Sequence, residues 1–291
     1  MKRRKLKAAP SDFLPSALPE TRKDQFFFVI RNNSLTLFFL GLWLALCFAP
    51  IIVTVFFQNR FEVGFYQKFT SGELSEADYK ASMNVLMIYG TLLETVFTFV
   101  ASLGLSGANR VYKSLLWGEG VLFKDDFKRG IKQNYLNTSL LFFCFGVLLS
   151  LCRFVSAFFL EYFIGIPFYV LLVLIVIPVF MIASIFSSVY ECNVFRAIWN
   201  ATKLYFPYWW QFLLISLGLS ASLYGLSLLE SAPLLLALIH LALAIFALPL
   251  LLLLLYSLCF SLFDKYINRE QFKDYYLAGL YKAKGGEEMR S

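Results

Sequence analysis

The sequence predicts an all-α fold, a polytopic transmembrane bundle of six spans with both ends in the cytoplasm. Three observations carry that expectation. Apolar residues make up 59% of the 291-residue chain and charged residues only 15%, against roughly 45–50% and about 25% in soluble chains. The apolar residues are gathered into runs long enough to cross about 30 Å of hydrocarbon. The basic residues gather between alternate runs, as the positive-inside rule requires.

Six segments qualify as spans: 34–57, 84–105, 136–158, 164–189, 209–228 and 233–263. The apolar run opening near Phe26 follows the basic segment MKRRKLKAAPSDFLPSALPETRKDQ and is too long for a cleaved signal, so it reads as an uncleaved anchor. Prolines 50, 167, 178 and 249 interrupt several spans, which lipid-embedded helices tolerate when neighbours satisfy the freed carbonyls. The last span is long for a perpendicular crossing and is expected to tilt or to project into the cytoplasm.

Orientation follows from the 26 Lys and Arg residues. Residues 1–33 carry 8, 106–134 carry 6, 190–208 carry 2 and 264–291 carry 6, which places 22 on one side. The opposite side has only Arg60, Lys68 and Lys80, while Arg153 falls inside a span. The net charge of +7 is therefore read as a topology signal, with no nucleic-acid partner implied. The chain divides into a basic cytoplasmic tail (1–25), a six-span membrane domain (26–263) and a cytoplasmic amphipathic C-terminal helix and tail (264–291).

On the outer side a loop is expected over 58–83, with a short capped helix starting near Ser75 in SGELSEADYKASM. Cytoplasmic connections carry amphipathic patterns. In FKDDFKRGIKQNY, Phe123, Phe127, Ile131 and Tyr135 recur every four residues, and Val194, Ile198, Thr202 and Tyr205 do so more weakly before Trp209 and Trp210. A third such amphipathic helix is expected in DKYINREQFKDYYLAGLYKAK, with Ile267, Tyr275, Leu277 and Tyr281 among its apolar residues. Segments of this kind lie in the bilayer interface or dock on a partner.

The sharpest chemical candidate is Glu94, inside the second span, where an unpaired carboxylate is costly. Asn84, Thr91, Thr95, Thr98 and Ser102 form a polar stripe that Glu94 flanks, and this face is expected to turn inward. Arg153 and His240 lie at comparable depth and could pair with Glu94, for helix packing or for a proton or solute relay. The plainer alternative is that Arg153 snorkels to the headgroups and His240 makes a structural hydrogen bond. Ser216, Gly218, Ser220 and Ser222 offer a small-residue face for close helix packing.

Other chemistries find no foothold. The five cysteines, 47, 144, 152, 192 and 259, form no CxxC pair, so no disulfide framework or zinc site is expected. A single histidine inside a span supports neither a hydrolase triad nor a metal centre. WGEGVLFKDDFKRGIKQN lacks the GK[ST] ending of a phosphate loop. No enzyme activity and no cofactor are expected.

GLSGANRVYKSLLWGEGVLFKDDFKRGIKQN, residues 104–134, resembles the YesL-like family of bacterial integral membrane proteins through Gly104, Trp117, Gly118, Glu119, Gly120, Asp126, Phe127, Gly130 and Asn134. The first span is similar to the family's through Leu42, Trp43, Pro50 and Thr54, and NVFRAIWNATK resembles its second cytoplasmic helix. The resemblance implies a multi-pass protein of the bacterial cytoplasmic membrane, associated with carbohydrate uptake and of undefined activity. Beside the bilayer itself, the implied partner is a membrane transporter or sensor component. Trp117, Glu119, Asp126, Phe127 and Asn134 become cytoplasmic interaction candidates. The alternative is a small secondary transporter with Glu94 as the coupling residue.

Overall fold

The computed structural model describes residues 18–158, 172–190, 192–224, 239 and 241–280, and every regular element among them is helical. Helix α1 (Arg22–Asn32) is opened by a reciprocal cap in which Thr21 Oγ1 accepts from the Asp24 amide at 3.1 Å and the Asp24 carboxylate accepts from the Thr21 amide at 3.2 Å. It turns Arg22, Gln25 and Val29, one helical face, into the protein. Only Asn33 separates it from α2 (Ser34–Thr70).

Helix α2 runs 37 residues, without a break at Pro50, and α3 (Glu76–Leu116) runs 41. At 1.5 Å per residue they are ~55 and ~60 Å long, well beyond the hydrocarbon thickness. The loop expected over 58–83 is thus a correction: it is the tip of a helical hairpin, with only residues 71–75 in the turn. Gln58, Arg60, Glu62, Gln67 and Lys68 end the apolar pattern, but polarity does not end a helix. Chain reversal comes where Gly72 adopts φ 80°. Ser75 caps α3 as expected, accepting from the Asp78 amide at 3.2 Å, and Phe69 stacks on Tyr79 across the turn at 4.9 Å.

Helix α4 (Phe123–Phe158) pairs lengthwise with α3. The FKDDFKRGIKQNY segment is its first turns, and its apolar face packs on protein: the Phe127 ring fills the space where a side chain at Gly107 would lie. Helix α5 (Ile177–Val189) follows a π-turn at Leu172–Val176. Helix α6 (Val194–Tyr205) is capped by Asn193 Oδ1 on the Arg196 amide at 2.9 Å, and it continues through Phe206–Tyr208 into α7 (Trp209–Tyr224). The buried face of α6 is Val194, Ala197, Ala201, Leu204 and Tyr205. That stripe is rotated from the expected one, because the small residues Ala197 and Ala201 admit close contact.

Helix α8 (Leu243–Gln271) contains two π-turns, Leu243–Ala247 and Asp264–Asn268. The first lies where Pro249 removes the bond that the Ile245 carbonyl would receive. That carbonyl points at α2, where a Cβ on Gly41 would lie 2.0 Å from its oxygen and 2.9 Å from Pro249 Cγ. Only glycine permits this crossing. The expected C-terminal amphipathic helix ends early, at Gln271, which is a second correction. A 3₁₀ turn (Lys273–Tyr275) and left-handed residues Leu277 (φ 52°) and Gly279 (φ 84°) fold the chain back, burying Ala278 and Leu280.

Three helices, Ser34–Thr70, Glu76–Leu116 and Leu243–Gln271, are long and apolar enough to cross a membrane, and Leu174–Val189 is a shorter apolar helix. Their surfaces carry the exposed Leu46, Val53, Leu92, Val96, Leu250 and Leu254. In water such a surface would be an aggregation liability, whereas in lipid it is a solvated face.

Candidate functional site

Four polar clusters lie in or beside the bundle. The first is the inward face of α3. Glu94 is only 4% exposed, and Gly90, Thr91, Thr98, Ala101 and Ser102 are buried with it. Glu94 therefore lies at the centre of the buried face and does not merely flank it, while Asn84, expected in the stripe, is exposed. The hydroxyls of Thr91, Thr95 and Thr98 donate to carbonyls of the preceding turn. Thr95 Oγ1 also meets Ser150 Oγ of α4 at 3.0 Å. From α2, the Gln58 amide occupies the space beside Gly90, one turn from Glu94. Arg153 belongs to α4, but its side chain and all of His240 lie outside the described residues.

The second cluster ties α3 to α5 and α8. Tyr256 Oη donates to Asn109 Oδ1, and Asn109 Nδ2 donates to Ser184 Oγ at 3.3 Å. Tyr112 Oη donates to the Pro249 carbonyl at 2.9 Å, and its ring stacks on Tyr256 at 4.7 Å. Both phenols are nearly without solvent contact, so each hydroxyl needs the partner it has.

The third cluster is a clasp between the two ends of the described chain. Asp264 Oδ2 accepts from Arg22 Nη2 at 2.6 Å and Nε at 3.0 Å. Arg22 Nη1 donates to Gln25 Oε1 at 2.7 Å and to the carbonyls of Ala278 at 2.9 Å and Leu116 at 3.3 Å. Asp264 Oδ1 accepts from Asn268 Nδ2 at 2.9 Å and from the Leu277 amide at 3.2 Å. Gln25 Nε2 donates to the Leu116 carbonyl and to that of Gly279. Tyr190 Oη donates to Asn268 Oδ1 at 2.5 Å. Burial pushes the Tyr190 phenol well above its usual range, and the Asp264 charge adds to the effect. Arg22 and Asp264 are 9% and 4% exposed, so this is a buried ion pair with most of its lone pairs and protons satisfied. The sequence reading missed it. The signals were the Arg22–Gln25 and Asp264–Asn268 spacings, each of which places two polar groups on one helical face.

The fourth cluster occupies the 104–134 segment. Arg110 lies between Glu119 (3.8 Å) and Asp126 (3.9 Å). Glu119 accepts from Ser114 Oγ at 3.1 Å, and Asp126 Oδ2 accepts from the Leu122 amide at 2.9 Å. Of the residues expected to meet a partner, Asp126 and Phe127 are buried, Trp117 and Asn134 are half-buried, and Glu119 is exposed. Trp117 packs on Tyr275 at 5.0 Å with the Lys113 ammonium over its ring at 4.2 Å. Much of this segment thus holds the fold together.

Two outward features contrast with these. On α6, Phe195 and Trp199 are exposed opposite the buried face, beside Arg196 and Lys203, and Phe206 in the turn that follows is exposed as well. Where α7 begins and the apolar part of α8 ends, Lys265 Nζ donates to Tyr208 Oη at 2.8 Å, and Tyr208 Oη meets Tyr266 Oη at 2.9 Å. Among the described residues no group of three or more His, Cys, Asp or Glu is placed to hold a metal ion.

Compared with known proteins, the chain matches no family model, no curated protein and no solved structure.

Proposed function

We propose that this is a six-span protein of the bacterial cytoplasmic membrane, both termini cytoplasmic, of the YesL-like kind. Its role is non-catalytic: it serves as an accessory or interaction partner of a carbohydrate-uptake system. The observation that carries this reading is α6. Its small residues Ala197 and Ala201 are buried in the body while Phe195 and Trp199 stay exposed, Trp199 beneath the Lys203 ammonium at 5.2 Å. An aromatic and cationic stripe of this kind suits a groove-and-helix contact with a partner chain. The segment 104–134 is taken up within the body, through Phe127 beside Gly107 and Trp117 against Tyr275.

Affinity capture from native membranes tests the assignment. A transporter or sensor component should be recovered with the wild type and lost with Phe195→Ala/Trp199→Ala. Equal recovery with both proteins, or none with either, removes it. For topology, a membrane-impermeant reagent applied to intact cells should leave tags at both termini unmodified.

A second reading is favoured by one specific observation, the burial of Glu94 on a threonine-lined face with Gln58 nearby. Under it, the protein is a small secondary transporter with Glu94 as the coupling group. Proteoliposomes should then show a solute or proton flux that Glu94→Gln abolishes.

A further inference from the structure

We propose that Lys265, Tyr208 and Tyr266 form a binding site for the phosphate of an anionic phospholipid headgroup. The inference rests on the reading of the chain as membrane-embedded, and it adds a specific ligand to the cytoplasmic leaflet side.

The hydrogen-bond inventory comes first. An ammonium has three donors and each phenol one. The Lys265–Tyr208 and Tyr208–Tyr266 contacts use two of these five. The Lys265 ammonium also interacts with Tyr266, so whichever phenol donates in the second contact, at least one N–H and one O–H are left for a further acceptor. Their natural complement is a group with several acceptor oxygens and negative charge, which is the chemistry of a phosphodiester. Among the described residues no carboxylate is paired with the ammonium, and the neighbouring Asp264 is committed to Arg22.

Placement is the second, independent argument. Tyr208 immediately precedes α7, whose residues 212–217 are FLLISL, and Lys265 follows the run LLLLLLYSLCFSLF of α8. Two apolar helices therefore pass between oily and polar surroundings at the same level, and the hydrogen bonds join them there. Trp209 and Trp210, each about half exposed, flank the site. Tryptophan and tyrosine concentrate at this depth of a bilayer, where the ring is in the acyl region and the polar tip reaches the headgroups.

Charge is the third. From Cys192 to Tyr266 the described residues contain Arg196, Lys203 and Lys265 and only one acid, Asp264, which is buried. A cationic rim beside an aromatic belt selects anionic over zwitterionic lipid. The cation–π contacts of Lys265 with Tyr208 (5.6 Å) and Tyr266 (5.0 Å) hold the ammonium in place.

The test uses the full-length protein in nanodiscs of phosphatidylcholine containing phosphatidylglycerol, followed by mild delipidation and native mass spectrometry. The wild type should retain phosphatidylglycerol selectively. Lys265→Gln should lower that retention about five-fold, the scale expected of one basic residue at a membrane surface. Lys265→Arg should keep most of it, and Tyr208→Phe/Tyr266→Phe should fall between. Equal retention by Lys265→Gln and the wild type overturns the proposal. So does displacement of the lipid by soluble glycerol phosphate, which would assign the site to a free anion. Flotation with vesicles is scored separately: a chain that does not co-float refutes the membrane reading itself, whereas one that co-floats without selectivity refutes only the lipid site.

Discussion

Replacing Asp264 by Leu removes one half of the clasp while leaving the Arg22 guanidinium buried. The expected cost can be assembled from the geometry. Arg22 loses its only counter-charge in the clasp, at 2.6 Å, and Asn268 Nδ2 and the Leu277 amide lose their acceptor. Breaking one side of a buried pair costs about 3–5 kcal/mol. A penalty at the lower end multiplies the open population of the C-terminal turn by ~150, since 1.4 kcal/mol is tenfold. Lys273, on the exposed side of that turn, offers a readout: tryptic cleavage there in the purified protein tracks the open population when opening is fast relative to cleavage. Asp264→Leu and Arg22→Met should each accelerate cleavage by two orders of magnitude. The double variant should be slower than the product of the singles by at least tenfold, because it buries no orphaned charge. Single variants within threefold of the wild type, or a double variant that follows the product, would refute the assignment of the clasp as the bond that docks this turn.

Three further outcomes follow from the packing. Gly41→Ala forces a Cβ to within 2.0 Å of the Ile245 oxygen and should cost about 1–3 kcal/mol in thermal or denaturant unfolding, as overpacked cores do; a neutral result would mean that α2 and α8 slide freely. Gly279→Ala places a side chain at φ 84° and 2.4 Å from the Leu116 carbonyl, so it should raise tryptic sensitivity at Lys273 as the clasp variants do. Asn109→Ala leaves the buried Tyr256 hydroxyl without its acceptor and should cost about 1–3 kcal/mol. Asn109→Ala combined with Tyr256→Phe should recover part of that loss, and a pair of additive penalties would show that the hydroxyl finds another acceptor.

Much of the fold was legible in the sequence because lipid-length helices announce themselves by composition. The Ser75 cap and the inward turn of Glu94 were readable from local spacing alone. The hairpin tip was not, because its polar residues satisfy the rule used to end a membrane span without violating any rule for a helix. The early end of the C-terminal helix was also hidden: nothing near Leu277 forbids a helix, and it is the distant Asp264 carboxylate, accepting the Leu277 amide, that fixes the turn. Trp117, Asp126 and Phe127 look in the sequence like surface groups for a partner, since aromatics and acids on a basic segment suit a docking site. In the fold their own chain takes up much of that capacity, through Tyr275, Leu122 and Gly107.

The clasp also sets an order of events during synthesis. Arg22 and Asp264 are 242 residues apart in sequence, so at 5–20 residues per second the first helix waits about 12–50 s for its counter-ion to leave the ribosome. Throughout that interval the Asp264 carboxylate is missing, and α1 cannot settle against the bundle in its final form. A nascent chain that stalls short of Asp264 cannot close the clasp, and its leading helix lacks the ion pair that docks it.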